Sequence, residues 1–222
     1  MAESTAQDLS EERLKQAAAE FVRQGVDIRA KVHDLTLSAL RERKFDRKAM
    51  RDVFGAITAG VASGAEKNPS GMRDAFADGL KGMDQALAKS AEAGAAALKQ
   101  LASTGKNFSD TELKAALASL KKLEDDFIST VAHVADAAES KVQPELRGAL
   151  SNLTHTGTET GRQVALSLTE LAHRFAVFSI DTGLAGLEAA SEFGARFAHL
   201  ASGILSGVAD ALKTPPEPPK GP

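Results

Sequence analysis

The stretch Val164-Ala165-Leu166-Ser167-Leu168-Thr169-Glu170-Leu171-Ala172-His173-Arg174-Phe175-Ala176-Val177-Phe178 decides the fold class. Val164, Leu168, Leu171, Phe175 and Phe178 follow one another at steps of four, three, four and three. On an α-helix that spacing sets all five side chains on one side. A second seam follows in Phe193, Phe197, Leu200, Ile204, Val208 and Leu212. After Pro144 no proline interrupts the chain before Lys213. An unbroken helix over that run would be roughly 105 Å long at ~1.5 Å per residue. A compact domain of 222 residues is far smaller, so the run must break, fold back or project. The expected break is Thr154-His155-Thr156-Gly157-Thr158-Glu159-Thr160-Gly161, rich in poor helix formers. Thr156 and Glu159 have capping-box spacing and predict a restart there.

Upstream, Ser109-Asp110-Thr111-Glu112 reads as a capping box with Phe108 as its staple, and Gly105 as the C-cap before it. The helix it opens carries Leu113, Leu117, Leu120, Glu124, Phe127, Val131, Val134 and Ala138, a coiled-coil-like seam with one charged interruption. Gln143-Pro144 closes it, and Pro144 suits the first turn of the next helix. Farther back, a helix from Ser70 to about Ser103 places Met72, Phe76, Leu80, Met83, Leu87, Leu98 and Leu101 along one broad side, with an Ala/Gly-rich middle. Asn68-Pro69-Ser70-Gly71 separates it from a helix with Met50, Val53, Phe54, Ile57 and Val61, for which Asp46 is the candidate cap. The first helix starts near Leu9 or Ser10 and its apolar positions run to Leu40, with Gly25 denting it without necessarily ending it. Gly60, Gly71, Gly82, Gly94 and Gly105 recur at intervals of 11, 11, 12 and 11, close to three helical turns, which keeps one face in line.

The expectation is therefore an all-α protein of about five or six long amphipathic helices, in antiparallel hairpins or an elongated bundle. Residues 1–8 form a frayed lead, 9–105 an N-terminal helical region, 106–213 a C-terminal long-helix hairpin, and 214–222 a Pro-rich extended tail.

Composition narrows the function. Apolar residues make up 43% and aromatic residues only 5%, every one a Phe. That palette favours helices over sheets and offers few rigid aromatic anchors for a tight interface. A net charge of −3 argues against a nucleic-acid partner. With no cysteine, disulfides and thiol chemistry are excluded. The start MAESTAQDLSEER lacks the pattern of a secretory signal, and Phe197 to Ala209 is too short to span a bilayer, so a cytoplasmic location is expected.

No phosphate loop, nucleophile elbow or dinucleotide fingerprint occurs, so no catalytic, cofactor-binding or metal-binding residue is assigned and no cofactor is expected. Glu170-Leu171-Ala172-His173 has the Glu-x-x-His spacing of di-iron bundles, but no other histidine has an acid three residues before it. Glu124-Asp125-Asp126 is read as a solvated face, because consecutive helical residues do not share one. Arg41 to Asp52 is a basic cluster, also read as solvated. Gly60/Gly64, Gly157/Gly161 and Gly203/Gly207, each four apart, permit close approach of a second helix.

The Ala/Leu seam from Leu113 to Val134, the Phe-punctuated seam from Leu168 to Phe197 and the tail Lys213 to Pro222 together resemble the bacterial phasins. That resemblance implies a non-catalytic protein that coats polyhydroxyalkanoate granules and self-associates as a homo-oligomer. The expected partner is a hydrophobic granule or membrane surface. The residues assigned to meet it are Phe175, Phe178, Phe193, Phe197, Leu200, Ile204 and Val208, with Gly203 and Gly207 as helix-packing positions. The alternative is a helical-bundle scaffold with no lipid role, in which the same seams meet other helices. Periodicity alone does not separate the two, because a lipid-facing stripe and a partner-facing stripe repeat alike.

Overall fold

The computed structural model describes residues 2–42, 47–67, 69–103 and 117–174. Among them are seven α-helices and no strand: α1 Ala2–Gln24, α2 Ile28–Glu42, α3 Arg47–Ala65, α4 Met72–Ser103, α5 Leu123–Ala137, α6 Gln143–Thr156 and α7 Glu159–Arg174. A 3-10 turn, Pro69–Gly71, precedes α4. Residues 117–121 are helical too and lead into α5 through a turn at Lys122. The all-α expectation holds.

Of the two outcomes Gly25 allowed, a dent or a stop, the structure shows the stop. Gly25 has φ +67 and Asp27 φ +53, so two residues in left-handed conformations reverse the chain between α1 and α2. α1 also begins earlier than its acidic turn suggested, at Ala2, and so extends over the lead read as frayed.

Helices adjacent in sequence are not the ones most extensively packed. α1 lies chiefly on α3, and α2 on α4. Glycine makes the first contact possible. A Cβ on Gly60 would strike the Lys15 carbonyl and sit 2.8 Å from the Ala18 Cβ, and one on Gly64 would meet the Ala19 carbonyl at 2.5 Å. Four residues along α3 correspond to four along α1, so the two helices run parallel. Gly82 does the same for α4, where a Cβ would collide with the Arg29 carbonyl of α2. The glycines at elevenfold spacing thus serve different ends: Gly60 meets α1, Gly82 meets α2, and Gly71 closes the 3-10 turn.

α4 is the axis. From Gly82 to Leu98 its buried residues point in most directions around the helix, as expected of a central helix. The Ala/Gly-rich middle supplies small side chains where neighbours close in. Met50, Val53, Phe54, Ile57 and Val61 of α3 are all buried. Phe54 meets Phe127 of α5 edge to face, ring centres 5.8 Å apart, a favoured aromatic geometry. The α5 seam reads as expected at Leu120, Phe127 and Val131, with Leu123 and Ala135 completing it.

The long run from Pro144 breaks where expected and then continues beside α4. Arg73 bonds Glu145, Asp84 bonds the start of α7, and Lys99 pairs with Glu170. Each advance along α4 is matched by an advance along α6 and then α7. The two helices therefore form one jogged rod parallel to α4, while α5 and α6 form a hairpin closed by Arg147 on Asp136 at 2.6 Å.

Candidate functional site

The jog between α6 and α7 gathers three of the seven buried polar side chains among the described residues, Asp84, Thr158 and Thr160. Gly157, with φ +83, terminates α6 and returns its N–H to the Thr154 carbonyl. Thr158 follows as the N-cap of α7: its Oγ1 accepts the Gly161 N–H at 2.9 Å. The cap thus lies two residues beyond the expected Thr156, whose hydroxyl instead donates back to the Asn152 carbonyl within α6. Thr156 cannot cap while it still belongs to the preceding helix. Glu159 does not complete a capping box either; it pairs with Arg162.

A helix start leaves N–H groups without internal partners. Here another helix supplies the acceptor. The Asp84 carboxylate of α4 accepts the Glu159 N–H at 2.7 Å and the Thr160 N–H at 3.0 Å. Thr160 Oγ1 donates to the Asp84 carbonyl oxygen at 3.0 Å. Asp84 is 2% exposed and Thr160 fully buried. A carboxylate at a helix N-terminus is favoured by both the free N–H groups and the helix dipole.

A second acid closes the arrangement. Thr158 Oγ1 donates to the Glu124 carboxylate of α5. Gly161 leaves that carboxylate room, because a Cβ there would lie 2.6 Å from its carboxyl carbon. The Gly157/Gly161 pair therefore serves a turn and a carboxylate, not a helix–helix contact.

The cluster Glu124-Asp125-Asp126 is corrected accordingly. Asp125 is exposed, but Glu124 holds Thr158, and Asp126 takes a two-pronged bond from Arg47 at 2.7 and 2.8 Å. The charged interruption in the α5 seam is thus a tertiary contact. Within the basic cluster, Arg47 is engaged by Asp126 and Lys48 by Asp52; residues 43–46, Asp46 included, lie outside the described residues.

Beside the jog, a cleft of about 770 Å³ lies between the α1–α2 turn, α4 and the first turns of α7. Its charged walls are largely internally paired: Arg29 with Asp78 at 2.6 Å, Lys89 with Glu92 at 3.0 Å and Arg162 with Glu159 at 2.6 Å. Nucleophile, base and oxyanion donors do not converge there. Among the described residues no group of three or more His, Asp or Glu could hold a metal ion. Glu170 of the Glu-x-x-His motif pairs with Lys99.

The seam that opened the sequence reading divides. Val164 and Leu171 are buried and Leu168 half-buried, all on the side of α7 that packs on α4. Phe175, Phe178, Phe193, Phe197, Leu200, Ile204 and Val208 lie outside the described residues, as do Gly203 and Gly207, Gly105 and the Ser109–Glu112 box. Sequence reading missed Asp84. The available signal was its register: four residues after Leu80 and three before Leu87, an acid on the apolar side of α4.

These features define an all-α bundle with a buried carboxylate at a helix junction, and no helix among its described residues is long and apolar enough to cross a membrane. The chain belongs to DUF6781, a family of unknown function whose model matches residues 4–214. No curated protein and no solved structure matches it.

Proposed function

We propose that the protein is a non-catalytic amphipathic helical protein that associates from the cytoplasm with a hydrophobic surface, a polyhydroxyalkanoate granule or a membrane. The helical body carries the contact segment, and the contact residues are the apolar positions after α7, foremost Phe193, Phe197, Leu200, Ile204 and Val208. One observation carries this reading. Across the described residues the apolar side chains are taken up internally, and the large exposed hydrophobics are only Val26 and Leu166. Two scattered residues do not make a sticky patch. The apolar seam from Phe193 to Leu212 in the sequence is what this reading assigns to the contact, and its burial would contribute on the order of 25 cal/mol per Å².

The scaffold reading draws on a different observation. Val164, Leu168 and Leu171 belong to the same stripe as Phe175 and Phe178, and those three pack on α4. A stripe used for helix packing in its first half suits helix packing in its second.

Vesicle flotation and granule binding, run beside light scattering on the lipid-free protein, test the pair. The surface reading expects the full chain to float, and Phe193→Asp with Phe197→Asp to reduce flotation at least about tenfold, since a charge in an apolar contact is costly. A protein that stays at the bottom of the gradient as a discrete oligomer would establish the scaffold instead.

A further inference from the structure

The start of α7 is built unlike that of α4, which follows directly on its own 3-10 turn. Two N–H groups of α7 go to Asp84 on α4, and its cap residue is tied to Glu124 on α5. Its own sequence offers little support, since Gly157-Thr158-Glu159-Thr160-Gly161 is poor in helix formers. Its described apolar attachment runs through Val164 and Leu171, both buried, and the half-buried Leu168. Ser167, on the same side and 4% exposed, has no hydrogen-bond partner for its hydroxyl among the described residues. Gly157 sits at the pivot, exposed, with φ +83 and nothing within 4 Å of where a Cβ would be.

We infer that Asp84 and Glu124 form a clasp that makes α7 a detachable arm, which leaves α4 as a unit by turning at Gly157 while α1–α4 stay folded. Opening trades the three bonds made by the Asp84 and Glu124 carboxylates, the bond from the Thr160 hydroxyl to the Asp84 carbonyl and the Lys99–Glu170 pair for bonds to water; all of these reach α7 and none is internal to α1–α4. It uncovers Val164, Leu168 and Leu171, the beginning of the stripe that continues to Phe175 and Phe178. The released arm would add that stripe to the contact with a lipid surface; this second step rests on the surface association proposed above.

Hydrogen exchange on the full-length, lipid-free protein tests the arm by itself. Asp84→Ala removes the acceptor of two N–H groups, and Thr158→Val removes the cap and the Glu124 bond with less change in buried shape. Both variants should speed exchange of the 159–174 amides by about tenfold or more, with the α3 amides unchanged. Equal acceleration in α3 and α7 would overturn the arm, because the clasp would then be one element of a single cooperative body. Unchanged exchange in the Thr158→Val variant would overturn it as well.

Flotation of the same variants with phospholipid vesicles tests the second step. Increased flotation supports the arm as a lipid contact. A locally released α7 that leaves flotation at the wild-type level, where the wild type floats, keeps the arm and removes its lipid role. A wild type that does not float defeats the surface reading and leaves the exchange result standing.

Discussion

Two helix pairs in this molecule run parallel and are held by opposite means. α3 meets α1 through Gly60 and Gly64, with backbone against backbone and Ala18 and Val22 buried beside them. α7 meets α4 through Val164, Leu168 and Leu171, a polar start at Asp84 and the Lys99–Glu170 pair. The first contact needs only the absence of side chains, so nothing in it can be loosened without moving a backbone. The second needs acceptors at one end, and acceptors can be exchanged for water. Close-packed interiors tolerate little change of volume, whereas the net worth of a hydrogen bond is modest when water can replace the partner. The first pair is built as permanent structure and the second as a joint.

Four measurements would break or sharpen this contrast. The largest effect is expected from Gly60→Leu, which drives a branched side chain into the Lys15 carbonyl. Chemical denaturation should show a loss of about 3 kcal/mol, at the upper end for overpacking. A loss under ~1 kcal/mol would mean that α1 can slide away and that the pair is not rigid. Leu171→Ala comes next. A fully buried leucine in a cooperative core costs about 2–5 kcal/mol when cut to alanine. If α7 is a separate joint, the global loss should stay at or below the bottom of that range, with the protection lost in 159–174 alone. Ser167→Ala removes a buried hydroxyl that has no partner among the described residues and improves helix propensity. It should leave stability unchanged or raise it by up to about 1 kcal/mol, and a clear loss would reveal a role for that hydroxyl.

The smallest effect belongs to the exposed pair of Arg73 and Glu145, which ties the start of α6 to α4. The hydrogen bond from Arg73 holds the Glu145 carboxyl below the usual carboxylate range, and the bond to Glu145 raises the Arg73 guanidinium above its own. Because the folded value of Glu145 is depressed, its contribution is complete above the unfolded carboxylate pKa and fades as the pH falls through the folded one. An NMR titration should place the Glu145 midpoint below that of an ordinary glutamate, and Arg73→Ala should return it. The shift should shrink with added salt, as for any solvated pair.

Particular residues mark how far the sequence could be read. Phe127 and Val131 were placed correctly because a three-four step admits only one face. Gly25 was left open because one glycine inside a periodic stretch is compatible with both a dent and a stop. The positive φ at Asp27, which no motif announces, completes the turn. The Thr156 cap was two residues early because both threonines precede an acidic helix start, and only the path of the backbone selects Thr158. Asp84 was invisible as a cap because its partners stand 75 and 76 residues away. Glu124 was seen as an interruption but not as a contact, for the same reason.

The sequence by itself determined that this chain is helical, where its apolar stripes lie and that its longest run must break near Gly157. These are local consequences of spacing, glycine and proline, which act over a few residues. Only the tertiary structure decided that α1 pairs with α3, that the broken rod continues along α4, and that two carboxylates from other helices start its second half. Those choices depend on which surfaces meet, and a stripe of leucines carries no mark of the partner that will cover it.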